Sequence, residues 1–62
     1  MIQYRIVLMA ADGQDLSTGY LFAGDDESAC ASAERLMKSN AHAVAVHVFE
    51  GERMVCTYKR AA

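Results

Sequence analysis

Along residues 2–10, IQYRIVLMA, apolar side chains recur with a period of two: Ile2, Tyr4, Ile6 and Leu8 fall on one face, Gln3, Arg5, Val7 and Met9 on the other. That period, in a stretch rich in β formers, predicts a strand. Asp12-Gly13 signals a turn, and small polar residues make a loose loop before apolar character resumes in GYLFA, predicting a second strand over about 17–23. The pattern then changes. In GDDESACASAERLMKSN the apolar positions Ala29, Cys30, Ala33, Leu36 and Met37 are spaced by three and four, which is a helical stripe. Asp25 is placed to cap it, Asp26 and Glu27 put negative charge at its positive end, and Arg35 and Lys38 do the converse, predicting a helix over 26–39. Glu34 and Lys38 are an i,i+4 pair in the favourable order. AHAVAVHVFEGERMVCTYKR returns to period two around a glycine, giving strands over 42–49 and 53–60.

The order ββαββ leaves few topologies. The helix returns the chain to the starting end of the second strand, so the third strand is antiparallel to the first. Only the order 2-1-3-4 keeps the whole four-stranded sheet antiparallel, with the helix packed on one face. The fold class is α+β, a single domain over 1–62. That order also puts the two strands that are apolar on both sides, IVLMA and AVAVHV, in the middle, and the more polar strands at the edges. The hairpin register has two solutions. A three-residue loop at Phe49-Glu50-Gly51 puts Val44, Val46 and Val48 on one face with Met54, Cys56 and Tyr58. A two-residue Glu50-Gly51 turn sets Val46 against Val55 instead.

One helix covers one sheet face. The opposite face, by parity, carries Val7, Met9, Ala43, Ala45, His47 and Val55, ringed by Gln3, Arg5 and Thr57. A contiguous apolar patch on central strands marks an interface, and a second copy of the chain covers it most simply. A single core of this size supplies roughly 3–5 kcal/mol unless a disulfide, metal or partner adds to it. The expectation is a homodimer and a non-enzymatic protein-binding module.

Other chemistry is sparse. Cys30 and Cys56 allow at most one disulfide, and without the basic-then-apolar order of a secretory signal both are expected reduced and buried, in a cytoplasmic protein with no membrane span. His47 and Cys56 are the one pair that an alternative register could bring together as a metal or redox site, but no CxxC or HxxxH spacing supports it. No catalytic set, cofactor motif or phosphate-binding glycine loop is present in the sequence. The aromatics Tyr4, Tyr20, Phe22, Phe49 and Tyr58 read as core, because no basic stripe accompanies them to suggest direct nucleic-acid binding. With a net charge of −2, the carboxylates are uneven: Asp25, Asp26, Glu27, Glu50 and Glu52 come to one end, with Arg53 the basic residue nearby. Such an end could compete for a basic groove in a larger complex.

The segments YRIVLMAADG, GDDESACASAERLM and AVAVHVFEGERMV together resemble small uncharacterised bacterial ββαββ proteins, a likeness of structural motifs over nearly the whole chain. The size and acidic end are similar in shape to phage anti-CRISPR inhibitors. That likeness of shape, which carries over no residue motif, implies an alternative function, inhibition of a host nucleic-acid-binding defence complex, for which the acidic end offers Asp25, Asp26, Glu27, Glu50 and Glu52.

Overall fold

The computed structural model describes residues 1–60. It contains β1 (Ile2–Ala10), β2 (Asp15–Ala23), α1 (Asp26–Ser39), β3 (Ala43–Glu50) and β4 (Arg53–Lys59). All pairs are antiparallel and the order is β2-β1-β3-β4, so the topology derived from strand direction is the one formed. The first hairpin is tighter than its polar loop suggests. Gly13 N–H donates to Ala10 C=O at 3.0 Å, Ala10 N–H to Gln14 C=O at 2.8 Å, and the Asp12 side chain accepts from Gln14 N–H at 3.0 Å. Strand β2 therefore starts two residues earlier than expected, at Asp15.

Helix α1 begins as its charges dictate. Asp25 has extended backbone and its carboxylate accepts from Ser28 N–H at 2.8 Å, satisfying an amide that the helix itself leaves free. That bond holds the Asp25 carboxyl below its ordinary pKa. Glu34 and Lys38 form the ion pair expected from their spacing, at 3.3 Å. The buried stripe is Ala29, Cys30, Ala33 and Met37. It packs on Tyr4, Ile6, Leu8, Ala23, Val46 and Val48 from the sheet. Leu36, the other member of the expected stripe, is 45% exposed.

Three bulges set the faces. The second hairpin turns at Gly51-Glu52, with Gly51 at φ 61 and Glu50 opposite Arg53. Glycine suits the first central position of such a two-residue turn because its backbone is left-handed there. Phe49 then faces Met54, but Val48 faces Cys56, so Val55 is an extra residue on β4. Beyond it the even-to-even pairing expected from a three-residue loop is restored, with Val46 opposite Tyr58. A bulge reverses the alternation of faces on one side of itself, with two consequences. Met54 moves to the helix-free face, and Val55 packs against the core instead of pointing away from it. The same happens in β3, where Met9 faces Ala45 but Ala10 faces Ala43, leaving Val44 as the extra residue. Ala43 is fully buried in the core. Strict parity put Ala43 and Val55 on the helix-free face, and both placements are corrected by bulges that a period-two reading does not contain. The third bulge, with Leu16 extra in β2, lies next to the first turn.

The cysteines are the largest departure from expectation. Cys30 in α1 and Cys56 in β4 are joined by a disulfide with a Cα–Cα distance of 6.5 Å, so neither is reduced. The expectation of free thiols rests on compartment, which does not govern geometry: Cys56 faces the helix, as the even-to-even register has it, and lies beside Cys30 at a separation within the range that a disulfide spans.

Candidate functional site

The helix-free face is a lattice of cross-strand rows. One row runs Tyr20, Arg5, Phe49 and Met54, and the next runs Thr18, Val7, His47 and Thr57; Met9, Ala45 and Lys59 form a third. Phe22, opposite Gln3, extends the face at the β2 side. Tyr20 and Phe22 are 65% and 61% exposed, and Met54 is 49% exposed. Val7, Met9, His47 and Phe49 between them are half-buried by their neighbours, and Ala45 is buried.

Polar contacts hold these rows in place. The Arg5 guanidinium lies 4.7 Å from the Phe49 ring centroid, a cation–π contact that keeps a charged group flat on an apolar surface. His47 Nδ1 is 3.0 Å from Thr57 Oγ1, and its ring is tilted against Phe49. The Thr57 hydroxyl is in turn 3.5 Å from Met54 Sδ. The hairpin tip at Gly51 and the side chains of Gln3, Arg5 and Tyr20 border a concavity of about 240 Å3 on this face.

Four residues assigned to this face by sequence, Val7, Met9, Ala45 and His47, lie together on it. Sequence reasoning missed Tyr20, Phe22, Phe49 and Met54. Hydrophobicity reads Tyr20 and Phe22 as core, yet the alternation in GYLFA holds the signal: they share parity with Thr18, opposite Leu21 and Ala23, which face the helix. His47 and Cys56 are on opposite faces, since His47 pairs with Thr57 and the Cys56 sulfur is in the disulfide. The side chains proposed as a metal or redox pair therefore do not meet.

The acidic end forms, but largely closes on itself. Arg53 Nη2 donates to Asp26 Oδ2 at 3.2 Å and also bonds Glu50 Oε1. The Tyr4 hydroxyl, inside the core, donates to Asp26 Oδ1 at 2.8 Å. With Asp25 committed to the helix cap, Glu27 and Glu52 are the two of the five carboxylates that make no ion pair or side-chain hydrogen bond among the described residues.

This network titrates at both extremes. Burial, then the hydrogen bond to Asp26 and nearby negative charge, push the Tyr4 phenol from 10.0 up to about 12. Between those values the folded protein keeps a proton that the unfolded chain has lost, so stability falls as pH rises through the window. The hydrogen bond from Tyr4, reinforced by Arg53, holds the Asp26 carboxyl below its ordinary value. Its contribution is present above the unfolded pKa and is lost as pH falls through the folded one. Tyr4→Phe is expected to flatten the alkaline loss over pH 10 to 12, measured as chemical-denaturation midpoints by circular dichroism. Parallel slopes for the two proteins would disprove this role.

Among the described residues, no helix is long and apolar enough to cross a membrane, and no group of three or more His, Cys, Asp or Glu side chains is placed to hold a metal. In comparisons with known proteins, no family model, curated protein or solved structure matches the chain.

Proposed function

We propose that this chain is a non-enzymatic interaction module that pairs with a second copy of itself through the helix-free face. The observation that carries the reading is the row Tyr20, Arg5, Phe49 and Met54 with Phe22 beside it: large apolar groups on a flat surface, held by a cation–π contact. Aromatic residues, Met and Arg are the types enriched at interface cores. Size supports a second copy as occupant. The molecule measures 32 × 19 × 14 Å, so its broad face is roughly 600 Å2 and two copies bury about 1,200 Å2, the lower end of stable interfaces. Stacked sheets also place two such faces about 10 Å apart with side chains interleaved, the geometry of a sandwich.

The acidic-end reading, an inhibitor docking on a basic groove, has weaker support, because three of its five carboxylates are already engaged inside the molecule. A disulfide within the fold favours an oxidising compartment over the cytoplasm.

Sedimentation equilibrium tests the pairing. Val7→Glu places a carboxylate in the middle of the face and is expected to weaken self-association about a hundredfold or more while leaving the circular dichroism spectrum unchanged. A wild-type protein that stays monomeric at several hundred micromolar, or a Val7→Glu variant that pairs as tightly, would rule the reading out.

A further inference from the structure

The apolar face continues around the border of the sheet. Leu16, Tyr20 and Phe22 are 40%, 65% and 61% exposed, and all three are in edge strand β2. On the helix side of the same edge, Leu36 is 45% exposed and borders, with Leu21 and Arg35, a concavity of about 250 Å3. The two sheet edges are unlike each other. Strand β4 carries Arg53 and Lys59, whereas β2, DLSTGYLFA, has no Lys, Arg or Pro across nine residues. Edge strands that must stay unpaired are usually blunted by such residues, by other charges or by bulges; past Asp15 and the bulge at Leu16, residues 17–23 of β2 carry none of these.

We infer that the β2 edge pairs antiparallel with the β2 edge of a second copy, joining two sheets of four strands into one of eight. The strand is suited to pair with itself. Centred on Gly19, the pairing sets Tyr20 of each copy beside Thr18 of the other and Phe22 beside Leu16, and the two Leu36-lined concavities come together on the helix side. Gly19 itself is uncrowded, with space for a Cβ 4.0 Å from the Ile6 side chain. This border measures 32 × 14 Å, roughly 450 Å2 per copy, which is below what a stable dimer needs alone. The inference therefore rests on the face pairing proposed above. Two face-paired dimers joined through their β2 edges make a closed tetramer with three perpendicular two-fold axes, the symmetry next in frequency to the simple dimer. Its sheets lie back to back and its helices face outward.

The test uses Ser17→Lys/Leu36→Lys, a double variant at two exposed helix-side positions that leaves the helix-free face untouched. Ultracentrifugation of the wild type is expected to give four chain masses, and of the variant two, with unchanged circular dichroism. Hydrogen exchange should find the outward amides of residues 15–23 protected in the wild type and unprotected in the variant, with those on the β4 edge unprotected in both. A wild-type dimer whose β2 amides exchange freely, or a variant that keeps four chains and its β2 protection, overturns the edge pairing and leaves the face pairing standing; a wild-type dimer with protected β2 amides overturns the face pairing instead. A wild-type monomer overturns both.

Discussion

Removing the Cys30–Cys56 bridge is expected to cost the fold about 3.5 kcal/mol, from the loop entropy of a cross-link spanning 26 residues. A single core of this size supplies roughly 3–5 kcal/mol, so the loss is comparable to everything else that holds the chain. Ala29 and Cys30 are the buried residues in the first half of α1, and β4 is an edge strand, attached by its ladder to β3 and by the partly buried Val55 and Tyr58. Cys30→Ser/Cys56→Ser, or treatment with a thiol reductant, should lower the thermal midpoint by about 15–25 °C, given 4–8 °C per kcal/mol in small domains. Two reactive thiols in the air-equilibrated native protein, or a midpoint that reductant does not move, would contradict this account.

Arg60→Ala is expected to be the next most damaging change considered, at about 2 kcal/mol, because the guanidinium donates to carbonyls from three different residues. Its Nε reaches Ala43 C=O at 2.9 Å, and its Nη2 reaches Met37 C=O at 2.7 Å and Asn40 C=O at 3.0 Å. The Arg60 N–H also donates to Val44 C=O at 2.7 Å. Met37 C=O and Asn40 C=O also accept from Asn40 N–H and Ala43 N–H, at 3.1 Å each, so the guanidinium fills their second lone pairs, and a cation there meets the negative end of the helix dipole. The side chain thus ties the end of α1 to the start of β3. Arg60→Lys should recover only part of the loss, since an ammonium lacks the planar fork that reaches all three acceptors. Lys59→Ala, one residue earlier on the exposed edge, should change little. Thermal denaturation decides: a fall of about 10 °C for Arg60→Ala is expected, and a value within 2 °C of wild type would mean that the three bonds do not stabilise the helix end.

Much of the fold was legible because it depends on short-range pattern and chain direction. Period two marked β1 and β3, three-four spacing with Asp25, Asp26 and Glu27 marked α1, and the antiparallel constraint left one order for four strands. The candidate site was legible in part. Val7, Met9, Ala45 and His47 pair with one another on the near side of the Val44 bulge, so parity placed them correctly. Ala43 and Val55 sit at bulges, where one extra residue reverses the count. Tyr20 and Phe22 were misplaced for another reason: hydrophobicity describes what a residue favours, whereas its face is set by the partner strand.

By itself, then, the sequence determined the four strands, the helix with its caps, the topology and the existence of an apolar face without a helix. Each follows from interactions within a few residues, or from the need to keep neighbouring strands antiparallel. The tertiary structure alone decided the Cys30–Cys56 bond, the Arg60 clamp, the enclosure of Asp26 by Tyr4 and Arg53, and the membership of the exposed face. All of these join residues 17 or more positions apart or turn on a single inserted residue, and shifting a strand by one position sends every side chain to the other side of the sheet.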